Sequence, residues 1–142
     1  MRQKIAVVGD AELGRVLAER DYAEVVQVGA GEDLSGALVV VLTEPAEELW
    51  DDIRNRAPAA VVIVAGESPQ PVCEATLFPR SRIVGISEPA ELPEVVDSIV
   101  LDRRREFTCV VRCQGERGID DDFAPVPVVL GAGGVREIRE DA

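Results

Sequence analysis

The chain has 142 residues, the size of one domain, and its composition of 46% apolar and 30% charged residues is enough to build a core. Its 15 basic and 27 acidic residues give a net charge of −12, which argues against nucleic acid or an anionic membrane as a partner. No apolar run approaches the length of a membrane span, and three cysteines without a pairing pattern favour a cytoplasmic location. The sequence contains no histidine, so no mechanism within this chain can use an imidazole as acid, base or metal ligand.

Five short apolar runs rich in Val and Ile predict strands that are covered on both faces, as in a parallel sheet. They are Ile5–Val8, Val25–Val28, Leu38–Leu42, Ala60–Val64 and Ile83–Ile86. The segments between them predict helices at Glu12–Arg20, Pro45–Arg56 and Pro71–Phe78. This alternation predicts an α/β fold with a parallel sheet of about five strands and flanking helices.

A different pattern follows the fifth strand. Pro93–Leu101 predicts an amphipathic helix, and Phe107–Cys113 and Val126–Leu130 predict an antiparallel β-hairpin with a long turn, Gln114–Pro125. Gly131–Gly134 then predicts a backbone turn before a charged tail. Because an isolated hairpin is at best marginally stable, it must fold back on the parallel sheet or pair with another subunit. We expect pairing across a dimer, since an apolar edge strand recruits another edge.

The first strand runs into a loop with the context of a dinucleotide-binding turn. Its residues are Gly9, Asp10, Ala11, Glu12, Leu13 and Gly14. The middle glycine of such a turn lets the backbone approach a pyrophosphate, and a methyl group replaces it at Ala11. Asp10 and Glu12 repel a phosphate, and their carboxylates could instead cap the helix. We predict a structural turn that binds NAD weakly or not at all.

The remaining polar and cysteine clusters have structural interpretations. Cys109 and Cys113 lie four residues apart on a strand, which predicts buried packing and no mutual disulfide. Asp120–Asp122 lacks further calcium-ligand spacing and predicts a solvated turn. Arg103–Arg105 predicts a charge cluster at a helix C-terminus. No metal site is expected.

Several segments together resemble the lactate/malate dehydrogenase family, particularly the bacterial malate dehydrogenase type. Lys4–Gly9 and the following loop resemble its start, and Ala59–Val64 with Phe78–Gly85 resemble its fourth and fifth strands. Val95–Arg105 followed by Phe107–Cys113, and Val126–Val135, resemble the last helix and hairpin of its catalytic domain. The resemblance implies a Rossmann-like region at residues 1–87 and a C-terminal helix and hairpin at 88–142, packed as one compact domain. It also implies a large internal deletion with its join near residues 87–92.

The residues by which that family performs catalysis have no counterparts in this chain. The resemblance implies a proton-transferring histidine, which is absent, and an Asp-x-x-Arg pair after the fifth strand, where Ile86–Leu92 has none. The substrate loop keeps Pro45 but lacks its arginine in Thr43–Glu48, and the asparagine after the fourth strand is replaced in Ala65–Glu67. Two other pairs with the Asp-x-x-Arg spacing are interpreted as helix surface charges. These are Asp51 with Arg54 and Asp102 with Arg105.

The leading hypothesis is a catalytically inactive, lactate/malate-dehydrogenase-like Rossmann protein that acts by binding or assembly. The alternative is an NAD- or nucleotide-binding module that retains an oxidoreductase-family role. A third hypothesis is a minimal dehydrogenase to which a partner chain contributes the histidine. We expect a homo-oligomer, with a dimer favoured, and the sequence identifies no small-molecule ligand.

Overall fold

A computed structural model describes residues 3–9, 11–28, 34–43, 49–66 and 68–139. Within these ranges the strands are β1 Gln3–Val8, β2 Ala23–Val28, β3 Val39–Leu42, β4 Val61–Ala65, β5 Ile83–Ile86, β6 Arg105–Gln114, β7 Asp120–Gly131 and β8 Gly134–Ile138. The α-helices are α1 Ala11–Ala18, α2 Trp50–Arg56, α3 Gln70–Thr76 and α4 Leu92–Val100. The strands form one sheet in the order β2-β1-β3-β4-β5-β6-β7-β8.

The first five strands form the parallel part of the sheet. β1 pairs with β2 on one side and with β3 on the other, and β3, β4 and β5 follow in parallel register. Every residue of β3, β4 and β5 is buried, which is why these strands appear in the sequence as uninterrupted apolar runs. The predicted α/β fold with five parallel strands is confirmed.

Helices cover both faces of this parallel part. Apolar residues of α1 and α4, including Leu17 and Val95, belong to the larger buried cluster on one face. Ile53 of α2 and Val72 of α3 belong to a second cluster on the other face. The predicted helix that starts at Pro45 is seen from Trp50 onward, and residues 44–48 lie outside the described part.

The C-terminal strands extend the same sheet. β6 pairs antiparallel with β5 through Gly85 and Val110, and β7 then pairs along the whole length of β6. The Ser98 hydroxyl of α4 donates to the carbonyl of Leu130, 2.7 Å away, and accepts from the N–H of Arg105. The hairpin therefore folds back on its own chain, and both edges of β6 are occupied without a second subunit.

Two details of the predicted hairpin are wrong. The predicted long turn is in fact short, because β7 begins at Asp120. Asp120 and Asp122 are exposed strand residues that pair with the end of β6, and Asp121 lies at a register shift between them. A further strand, β8, follows the Gly131–Gly134 turn and pairs with β7. Asp and Pro are unfavourable in strands, and a segment with Gly131–Gly134 favours a loop. Here the ladder with β6 holds the start of β7 in the sheet, and the ladder with β7 holds β8.

Candidate functional site

The predicted dinucleotide loop lies where β1 passes into α1. Gly9 follows the last residue of β1 with φ of +104°, a left-handed conformation that glycine adopts without a steric penalty. Asp10 lies outside the described residues, and α1 begins at the next residue, Ala11. Glu12 is exposed in the first turn of α1, whereas Leu13 is buried in the larger cluster. The loop thus retains the tight turn of a dinucleotide-binding strand–helix junction.

Gln27 on β2 connects the two glycines of the loop. Its Nε2 donates to the carbonyl oxygen of Gly9, 3.3 Å away. Its Oε1 lies 2.6 Å from the position that a Cβ atom on Gly14 would take. Gly14 therefore leaves room for the Gln27 amide between α1 and β2. This contact was not predicted, because Gln27 lies inside the predicted strand Val25–Val28 and no local pattern indicates its partners.

The carboxyl ends of β3, β4 and β5 form the edge where a doubly wound sheet binds its ligands. Thr43, directly after β3, binds the carbonyl of Val8 through its N–H at 3.0 Å and its hydroxyl at 2.7 Å. A cavity of about 410 Å³ lies beside the ends of β4 and β5. It is lined by Gly66, Ser68, Ile86, Ser87, Val110 and Phe123. These lining residues supply hydroxyl, backbone and apolar groups, and none of them carries a charge.

The two Asp-x-x-Arg pairs lie away from this cavity. Asp51 and Arg54 form an exposed ion pair of 3.7 Å on the surface of α2, as predicted. Asp102 differs from the prediction, because α4 ends at Val100 and Asp102 lies in the following turn with φ of +50°. Its carboxylate accepts the backbone N–H of Ala132 at 2.9 Å, which lowers its pKa. Asp102 thereby holds the β7–β8 turn against the end of α4.

A second cavity, of about 250 Å³, has several charged side chains in its lining, from the turns before β5 and after β6 and from the strands β6 and β8. Arg80 donates both guanidinium NH₂ groups to Glu116 at 2.8 Å, and Arg112 pairs with Asp121. Arg80, together with the backbone N–H of Gln114, lowers the pKa of Glu116 to about 2. These arginines are therefore neutralised by acids within the chain.

A cluster of polar side chains joins α1 and β2 to α4. Asp97 on α4 accepts the hydroxyl of Tyr22 and the guanidinium of Arg20, whose Nε lies 3.3 Å from the carboxylate. Burial and the bond to Asp97 raise the pKa of Tyr22. Asp97 is 8% exposed, and its partners satisfy the buried charge. This arrangement fixes the helix layer and is structural.

The three cysteines are buried and free, and the predicted buried packing of Cys109 and Cys113 is confirmed. Burial raises the pKa of Cys109 to about 12, so its thiol is unreactive near neutral pH. Across the described residues no group of His, Cys, Asp and Glu side chains is arranged to hold a metal ion. None of the described helices is long and apolar enough to span a membrane.

The chain matches no protein-family model. Among curated proteins, the malate dehydrogenase of Salinibacter ruber is 47% identical over 51 residues, and that of Caldivirga maquilingensis is 53% identical over 51 residues. Each match covers 36% of this chain and 16% of the relative. The matched segment thus spans about one sixth of the length of the curated relatives.

Solved structures superpose on nearly the whole chain. The malate dehydrogenase of Salinibacter ruber has a TM-score of 0.85 at 16% identity, covering 99% of this chain and 90% of that chain. The lactate dehydrogenase of Eimeria maxima, solved with NADH and oxamate, has a TM-score of 0.84 at 13% identity, covering 99% and 87%. These superpositions establish the fold.

Proposed function

We propose that this chain, a short relative of the lactate/malate dehydrogenase family, does not transfer hydride and acts by binding or assembly. The relation rests on the matched 51-residue segments and on the shared fold. The named activity belongs to relatives of which that segment is 16%, so it is not carried over to this chain.

The observation that carries the proposal is the lining of the cavity beside β4 and β5. A dehydrogenase of 2-hydroxy acids must hold a carboxylate and move a proton to or from the hydroxyl oxygen. Ser68, Ser87 and Gly66 supply neutral groups there, and Ile86, Val110 and Phe123 close the cavity with apolar surface. The sequence contains no histidine, and none of the described lining residues is a cation, so they supply neither a positive charge for the carboxylate nor an imidazole for the proton.

The loop meets only part of what a dinucleotide requires. Gly9 makes the turn, and Gly14 lets α1 lie close to the Gln27 side chain on β2. The groups that would touch the cofactor do not fit. Ala11 replaces the glycine that lets the backbone come close to the pyrophosphate, and β2 ends without the acidic residue that would bind the ribose. We therefore expect NAD to bind weakly or not at all, and we derive no reaction step through it.

The retained turn gives the second candidate its support. A nucleotide-binding module would use Gly9 and Gly14 as they stand, with the Gln27 amide in place of a carboxylate beside the loop. A thermal-shift screen with nucleotides separates this candidate from the first. A dinucleotide or mononucleotide that raises the melting temperature by several degrees at millimolar concentration supports the module.

The experiment that tests the proposal is an assay of NAD and NADP reduction with malate or lactate. We expect no turnover from the purified chain, while the Salinibacter ruber relative under the same conditions serves as the positive control. A turnover number above ~1 per second, the low end of ordinary enzymes, contradicts the proposal. A mixture with other chains from the same source tests whether a partner supplies the missing acid–base group.

A further inference from the structure

The edge strand β2 occupies a position that is internal in a complete doubly wound sheet. The common dinucleotide-binding order is 3-2-1-4-5-6, in which a further strand lies outside strand 2. Here the order starts β2-β1-β3-β4-β5, and the chain passes from β2 directly to the far side of β1. Among the described residues, no strand pairs with the outer edge of β2.

The backbone groups on that edge follow from the ladder with β1. The N–H of Gln3 donates to the carbonyl of Tyr22, so the backbone groups of Tyr22 face β1. Orientation alternates along a strand, so the N–H and C=O groups of Ala23, Val25 and Gln27 point outward. β2 holds six consecutive register pairs with β1, without a bulge or a proline. It is a regular edge, the type that accepts another strand.

The opposite end of the sheet, at β7 and β8, is protected against pairing with a further strand. The carbonyl of Pro127 accepts the N–H of Arg139, so Pro127 faces the outer side of β7, and Pro125 faces the same side by alternation. Neither proline carries an N–H, so this side of β7 cannot donate hydrogen bonds to a further strand at these two positions. β8 carries Arg136 and Glu137 and contains a register shift opposite Val129 and Leu130. Charges and bulges of this kind block edge-to-edge association.

A crevice of about 390 Å³ runs beside β2, between the strand and α1. It is lined by Gly14, Arg15, Ala18, Val25 and Gln27. Ala18 is exposed on α1 beside this crevice, and its small side chain leaves room for another helix, whereas Gly14 is buried against Gln27. If two β2 strands pair at the ordinary spacing of about 4.8 Å, helices packed above each β1–β2 pair lie about 10 Å apart. That is the distance of closely packed helices.

We propose that the occupant of this edge is a second copy of the chain, bound through antiparallel pairing of the two β2 strands. A register centred on Val25 places Glu24 opposite Val26 of the partner subunit, and one centred on Val26 places it opposite Val28 of the partner subunit. Neither register brings two carboxylates together, whereas one centred on Glu24 does. The pairing is isologous and closes at a dimer, because Pro125, Pro127 and β8 stop the sheet from growing further.

The inference rests on the proposed role in assembly, and light scattering coupled to size-exclusion chromatography tests it. The wild-type chain is expected to be a dimer. Ala18→Arg places a large cation between the two α1 helices and should raise the dissociation constant at least about tenfold. Thr108→Arg makes the same charge change on the exposed face of β6 and should leave the dimer intact. Both variants lower the net negative charge, so general repulsion cannot explain dissociation.

Cysteine cross-linking provides a second measurement that does not depend on dissociation. Opposite residues of an antiparallel pair lie within disulfide reach, so oxidation should link either Val25→Cys or Val26→Cys across the dimer axis. Thr108→Cys should remain unlinked, and the native thiols are buried. If the Ala18→Arg variant is still a dimer and neither cysteine variant is cross-linked, the β2 interface is wrong, but the proposed role in assembly is not contradicted. If the wild-type chain is a monomer, both the β2 interface and the role in assembly are contradicted.

Discussion

The Cβ atom of Val110 lies 3.0 Å from the position that a Cβ on Gly85 would take. The Cδ of Pro69 lies at the same distance from that position. Gly85 and Val110 are the register pair that joins the parallel strands to the C-terminal ones. The absence of a side chain at Gly85 is therefore what lets β6 lie against β5 while α3 begins directly above it.

Gly85→Ala should destabilise the fold by about 1–3 kcal/mol, the usual cost of overpacking a core. The neighbours are a proline ring and a β-carbon, and neither can swing away. Urea unfolding measures the change in free energy. Ser87→Ala, on the exposed residue after β5, is the control and should stay within about 0.5 kcal/mol. Equal stability of both variants would show that β6 can shift without cost.

Removing two carboxylates from the loop should tighten NAD binding. We expect a dissociation constant above ~10 μM for the wild type, equivalent to about −7 kcal/mol or weaker. Asp10→Ala with Glu12→Ala removes repulsion of the pyrophosphate and should lower the constant in calorimetry. Asp51→Ala with Asp52→Ala makes the same change in net charge on α2 and is the matched control. Equal tightening in both variants would point to the overall charge of the protein.

The Arg80–Glu116 pair should make stability depend on pH below about 4.5. The folded-state pKa of Glu116 is about 2, below the ordinary value of about 4.3, so the contribution is present above pH ~4.5. It is lost as the pH falls toward 2. The difference in melting temperature between the wild type and Glu116→Gln should therefore shrink over that interval. A difference that stays constant with pH would mean that Glu116→Gln destabilises the protein by changing the packing and that the ionic contact with Arg80 contributes nothing. Glu19→Gln, on an exposed residue, provides the reference.

Deleting residues 106–142 should give a destabilised protein with an altered oligomeric state. The deletion uncovers the edge of β5 and removes the C-terminal contribution to the larger buried cluster. The removed residues of this cluster include Phe107, Cys109, Val126 and Leu130. Circular dichroism and light scattering measure the outcome. A truncated chain that unfolds at the wild-type temperature and keeps its assembly state would show that the C-terminal strands are dispensable.

The parallel part of the fold was predictable because burial on both faces leaves a direct pattern in the sequence. Val39–Leu42 and Val61–Ala65 are apolar at every position, and a strand at the centre of such a sheet needs little else. The start of β7 and the strand β8 were not predictable, because Asp120–Asp122 and Gly134 have weak strand propensity. Their strands form through pairing with residues that are close in sequence but already held in the sheet.

The candidate site was predictable only where one residue type determines the geometry. Gly9 and Gly14 could be recognised, because a left-handed turn and a close approach both favour glycine. The contacts of Gln27 could not, since its two partners belong to a different strand–helix unit. The bond between Arg80 and Glu116 joins residues 36 positions apart, and no local pattern indicates such a pair.

The larger buried cluster contains residues from Ile5 on β1 to Leu130 on β7. It therefore includes side chains from both residues 1–87 and residues 88–142. A core that is shared in this way couples the opening of any strand to the loss of its neighbours' contacts. We therefore expect slowly exchanging amides in both parts of the chain, residues 1–87 and 88–142, and a single cooperative transition on heating. The free energy of unfolding is then expected to be a property of the whole sheet, and neither part should fold stably alone.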